Sequence, residues 1–117
     1  ALDRSRAAAV KYVDVQAALD DGYRPMFGSV THGGHGAMGV HYIHAERLND
    51  GTLALDEPEA LMYEPQPDGP LQLVAIEYIV WEKDWASRIP PTLLGQRMRR
   101  KASVGHHAVE PFFEIHV

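Results

Sequence analysis

The stretch LQLVAIEYIVWE, Leu71-Gln72-Leu73-Val74-Ala75-Ile76-Glu77-Tyr78-Ile79-Val80-Trp81-Glu82, is the longest apolar and β-branched run in the chain. Its density of Leu, Val, Ile, Tyr and Trp predicts a strand over residues 71–82. A shorter strand is expected just before it, over residues 60–64. The loop between them, residues 65–70, contains the turn signal Pro67-Asp68-Gly69, so the two strands read as a hairpin.

The remaining elements follow from this hairpin. Upstream, residues 38–45 read as a strand entered through a glycine-rich loop, and Asn49-Asp50-Gly51 as a turn. Downstream, Pro90-Pro91 interrupts the chain, residues 93–98 suggest an edge strand, and residues 112–117 a terminal strand. The first twenty residues are helical in spacing. Ala8, Tyr12, Val15 and Leu19 form one row, and Val10, Val13 and Ala17 a second. Two rows imply either a helix contacted on two sides or a break near Asp14, a natural cap for a second helix. Gly22 is the expected stop, with Pro25 just beyond. The fold class is therefore α+β: an N-terminal helix packed on an antiparallel sheet, with curling into a small barrel as the preferred architecture. A length of 117 residues suggests a single domain over 1–117.

Composition bounds the function. An apolar fraction of 45% supports one hydrophobic core. No apolar run is long enough to span a bilayer, so no membrane partner is expected. A net charge of −5 argues against nucleic acid. The short basic run Arg97, Arg99, Arg100, Lys101 reads as a solvated edge, with anion binding as the alternative. The absence of cysteine excludes disulfides and thiolate chemistry and leaves His, Asp, Glu and carbonyl groups as metal ligands. The start at Ala1 fits a processed export product, periplasmic or secreted, or a trimmed chain.

Three polar residues stand in the middle of apolar strands. THGGHGAMGVHYIH, residues 31–44, holds four of the seven histidines. In its strand His41 shares a face with Gly39 and Ile43, while His44, on the other face near the strand end, reads as solvated. Glu77 is expected to share a face with Leu71, Leu73, Ala75 and Ile79. An isolated carboxylate there must be paired, protonated or bound to a cation, unless it reaches solvent at an edge. His116 lies between Ile115 and Val117. Together His41, Glu77 and His116 form a two-histidine, one-carboxylate set suited to a divalent zinc, iron or manganese ion. They can meet only if their strands are neighbours or close a barrel. His32 and His35, on the glycine-rich loop, and His106 and His107, before the terminal strand, read as exposed loop residues. Phosphate-loop, zinc-protease and hydrolase-elbow motifs are missing.

Two resemblances accompany these residues. GAMGVHYIH resembles the cupin metal motif, which places two histidines one residue apart and then a glutamate. Here His41 and His44 are two residues apart, with Glu46 close behind, so the spacing departs from that pattern. The segments MGVHYI, DEPEALMYEP, LQLVAIEYIV and EIHV together resemble a group of small, often exported bacterial proteins without an assigned activity, over most of the chain from about Lys11. That resemblance implies a shared site around His41, Glu77 and His116 and names no substrate.

The expected function is a small metal-binding domain with the site His41, Glu77 and His116. In an enzymatic version, bound water would become the nucleophile or the oxygen-chemistry site. The alternatives are a small-ligand-binding module without metal, its pocket lined by Tyr42, Tyr78 and Trp81, and a structural module whose histidines are satisfied by hydrogen bonds. A small molecule is the expected partner.

Overall fold

The computed structural model describes residues 2–25, 39–67, 69–104 and 107–117. The N-terminal stretch divides into α1 (Leu2–Lys11) and α2 (Val15–Asp20). The break falls at Asp14, whose carboxylate caps α2 by accepting the Gln16 N–H at 2.9 Å. The break also sorts the two apolar rows: Ala8 and Tyr12 are buried, Val15, Leu19 and Ala17 are half-buried against the core, and Val10 and Val13 are exposed. Gly22 ends α2 with φ at +107°. Its N–H reaches Leu19 O, and the Tyr23 N–H reaches Ala18 O, the double bond pattern of a glycine C-cap.

The strands in chain order are β1 (Arg24–Pro25), β2 (Val40–Ile43), β3 (Ala60–Gln66), β4 (Gly69–Trp81), β5 (Thr92–Leu93), β6 (Gln96–Arg97), β7 (Arg99–Val104) and β8 (His107–His116). Six form one sheet in the spatial order β1-β2-β3-β4-β8-β7, every neighbouring pair antiparallel. The fold is thus α+β, with helices against an antiparallel sheet. The expectation of a barrel finds no support, because β1 and β7 stand at the two margins and no pairing joins them among the described residues. β1 is only two residues long. β7 carries exposed Arg99, Arg100 and Lys101, the kind of charged edge that discourages further pairing.

Three local expectations change. The strand over 38–45 stops at Ile43, and Ala45–Leu48 forms the short helix α3 capped by His44. Residues 93–98 do not make one edge strand. β5 and β6 pair as a separate hairpin around Leu94 and Gly95, both at positive φ. The terminal strand begins at His107 rather than 112, so His107 lies on a strand.

A bulge sets the two faces of the sheet. Met62 pairs with Ala75 and Tyr63 with Leu73, which leaves Val74 as an extra residue. The extra residue reverses the alternation before it. Leu71 and Leu73 therefore pack with Ile76, Tyr78 and Val80 in the main core, and do not share a face with Glu77 as the simple alternation requires. The main core holds Tyr12, Tyr23, Tyr42, Tyr63 and Tyr78 beneath the helices. Buried hydroxyls need partners. Tyr63 donates to Tyr12 O at 2.5 Å, Tyr78 to Leu55 O at 2.6 Å, and Tyr23 to Pro58 O. A smaller cluster of Ala60, Ile79 and Phe112 occupies the other face, bordered by Ile43, Leu48, Trp81 and Val109. Tyr42 and Tyr78 therefore do not share a pocket with Trp81, because Trp81 belongs to the opposite face.

Candidate metal centre

The ladder pairs arrange this second face in rows. Ala60 is opposite Glu77, and Glu77 is opposite His116. One row along, Ile79 is opposite Glu114, and Glu114 is opposite Arg99. Beyond that, Trp81 is opposite Phe112, and Phe112 is opposite Lys101. Directly opposed residues project to the same side. Glu77 and His116 are therefore neighbours by register alone.

His41 arrives differently. It pairs with Met62 on β3, so a whole strand separates it from Glu77. Strands lie about 4.8 Å apart, which makes the gap from β2 to β4 roughly 10 Å. The imidazole crosses that gap beside Ala60, which presents only a methyl group. The His41 Nε2 reaches 3.0 Å from Glu77 Oε1, and the His116 Nε2 lies 3.2 Å from the same oxygen. Glu77 is 2% exposed, while the His116 side chain is 45% exposed. The carboxylate is thus the floor of the site and His116 its open side. The three residues singled out in the sequence are brought together.

Glu114 joins them, and sequence reasoning passed it over. Its Oε2 lies 3.4 Å from the His116 Nε2, and its Oε1 lies 2.7 Å from the Lys101 Nζ. Ligand atoms of Glu77, Glu114 and His116 all fall within 4.8 Å of one another. The signal was present, since Glu114 is two residues before His116 and so shares its face. Burial pushes the Glu114 carboxyl up, but its hydrogen bonds to His116 and Lys101 outweigh this and hold it down at about 2. The His116 imidazole is raised by its hydrogen bond to Glu114. Burial opposes that rise, and the charge of Glu77 adds to it.

His44 does not join this group. His44 is buried rather than solvated. Its Nδ1 accepts the Arg47 N–H at 3.2 Å, so its Nε2 donates to Asp21 O at 2.8 Å. Its ring packs edge-on against Tyr23, on the helix-covered side. Glu46, the remaining residue of the cupin comparison, is exposed on α3. His32, His35 and His106 lie outside the described residues.

Two chemical states suit this geometry. Each histidine can donate its Nε2 proton to Glu77 Oε1. Alternatively, one cation can replace those protons. Ligand atoms about 2.1 Å from a shared ion lie roughly 3.0–3.4 Å from one another; each imidazole Nε2 stands at such a distance from Glu77 Oε1, while the set whose ligand atoms all lie within 4.8 Å of one another is Glu77, Glu114 and His116, without His41. The donor set of imidazole nitrogen and carboxylate oxygen fits zinc, iron or manganese. Comparison with protein-family models, curated proteins and solved structures finds no match to this chain.

Proposed function

We propose that the protein is a small metal-binding domain that holds one divalent ion, zinc, iron or manganese, through His41, Glu77 and His116, with Glu114 as an adjoining carboxylate. The observation that carries this reading is the buried Glu77 Oε1 between two imidazole Nε2 atoms, at 3.0 and 3.2 Å. Burying a carboxylate on an apolar face is costly unless a cation or strong donors compensate it. A three-residue set leaves coordination positions for water or for a small ligand on the exposed His116 side. The reading does not require the cupin-like barrel, because an open sheet presents the same three side chains.

The same distances also suit plain hydrogen bonds, so a structural cluster of histidines around Glu77 is the competing reading. Elemental analysis of protein purified without a histidine tag separates the two. The metal reading expects about one divalent ion per chain after reconstitution and dialysis. The structural reading expects no retained metal.

A further inference from the structure

Two buried carboxylates share the second face of the sheet. Glu77 is 2% exposed and Glu114 8%, and a ligand oxygen of each lies within 4.8 Å of the other. Like charges this close and out of water need compensation. The His116 imidazole serves both, its Nε2 3.2 Å from Glu77 Oε1 and 3.4 Å from Glu114 Oε2. The second oxygen of Glu114, Oε1, is held by the Lys101 Nζ at 2.7 Å. Lys101 reaches it from β7, where its cross-strand partner is Phe112 on the same face. The Lys101 side chain is 46% exposed, so its ammonium can leave Glu114 for solvent without a change of fold.

We propose that Glu114 is itself a ligand of the ion, and that Lys101 is a built-in cation that holds this carboxylate in place in the empty site and competes with the ion for it. The inference rests on the metal reading above and adds a ligand and the residue that sets the affinity. An ion that takes the lone pair of His116 Nε2 displaces the proton this nitrogen gives to Glu114 Oε2. The released oxygen already stands at the distance from Nε2 that two atoms bound to one ion keep, roughly 3.0–3.4 Å, so it fills one of the open positions. A divalent ion matches the charges of the two carboxylates, and the Lys101 ammonium then becomes an excess positive charge beside it. Lysine suits this part, because its point charge rides on a flexible stem and grips a carboxylate without the two-pronged fit of arginine. Arg99, the cross-strand partner of Glu114, is the other group that can take the released oxygen, and in that case Glu114 does not touch the ion.

The test is titration with cobalt(II), a divalent ion that accepts the same donors and whose visible absorption changes with its ligands. Glu114→Gln keeps the size of the side chain and removes its charge. It is expected to bind cobalt about tenfold more weakly than the parent chain, with an altered spectrum. Lys101→Gln, a change at an exposed side chain, is expected to bind about threefold more tightly with the parent spectrum, the scale of one exposed charge pair. That gain is expected to vanish in the double variant with Glu114→Gln. Arg100→Gln removes the same charge on the opposite face, where Arg100 lies across from Phe113 and pairs with Glu82, and is expected to bind as the parent does. Cobalt uptake with a spectrum that Glu114→Gln leaves unchanged overturns this inference alone, and is the outcome expected if Arg99 takes the released oxygen. A Lys101→Gln variant that binds no more tightly than the parent, or no more tightly than Arg100→Gln, also overturns it. A parent chain that takes up no cobalt overturns the metal reading and this inference together.

Discussion

Glu77 and His116 are direct cross-strand partners on β4 and β8, and the His116 Nε2 lies 3.2 Å from Glu77 Oε1. The pairing is locked one residue along, where Ile76 and Val117 exchange two backbone hydrogen bonds at 3.1 and 2.8 Å. A one-residue slip would send every side chain of a strand to the other face. The approach of His116 to Glu77 is therefore a property of the ladder, while the approach of His41 depends on the small residue it crosses.

Glu77→Leu separates the ligand role of this carboxylate from a structural one. Removing the carboxylate alone leaves both imidazole Nε2 atoms without their shared partner, and breaking a buried charged pair in this way costs about 3–5 kcal/mol where the group left behind stays charged and cannot reach solvent, less where, like His116, it can. The variant is expected to stay folded and to lose metal retention. Unchanged metal content in the purified variant would remove Glu77 from the site.

Ala60→Leu tests the route of His41. Ala60 is fully buried between Ile43 and Glu77, so a larger side chain there fills the space the imidazole crosses. Overpacking of this kind costs roughly 1–3 kcal/mol. Metal affinity is expected to fall as far as it does in His41→Ala. Calorimetric titration checks this, and an affinity equal to that of the parent chain would show that His41 does not act across β3.

His44→Ala should have the opposite profile. His44 caps α3 and donates to Asp21 O, and losing such a cap costs about 0.5–2 kcal/mol. Thermal unfolding is expected to shift down, while the stabilisation conferred by metal stays unchanged. A lost metal response in this variant would bring His44 back into the site.

Glu59 governs a pH dependence away from the site. It is buried, accepts the Ile79 N–H at 2.8 Å, and is pushed up to about 8, chiefly by burial, with that hydrogen bond opposing. Between the ordinary carboxyl value of 4.5 and about 8, the folded chain keeps this proton and the unfolded chain loses it. Stability therefore falls as pH rises through that window and levels off above it. Glu59→Gln, which cannot titrate, is expected to flatten this slope in denaturant titrations run from pH 5 to 8.5. An identical slope in parent and variant would show that Glu59 does not titrate in that range.

What the sequence disclosed was local. The break at Asp14, the stop at Gly22 and the β4 strand rest on caps and alternation within a few residues, and each is found. His41, Glu77 and His116 were legible as polar residues inside apolar strands. Their meeting depends on the pairing of β2 through β3 and β4 to β8, which no local pattern encodes. The Val74 bulge was invisible for the same reason, since two residues facing one is a property of the pair. His44 was misread because its acceptor, Asp21, is 23 residues away. Glu114 shares the parity of His116, yet it reads as a surface residue until Lys101 comes to its side from β7.

The most direct test of the metal reading is thermal unfolding of the parent chain, His41→Ala, Glu77→Leu and His116→Ala, each with and without a zinc excess. A ligand that binds only the native state raises stability with the logarithm of its concentration over its dissociation constant, about 2.7 kcal/mol at a hundredfold excess. The parent chain is expected to show a saturable rise with one zinc per chain, and each variant to lose most of it. A parent chain whose melting temperature does not respond to zinc, or three variants that respond as the parent does, would contradict a metal site at His41, Glu77 and His116.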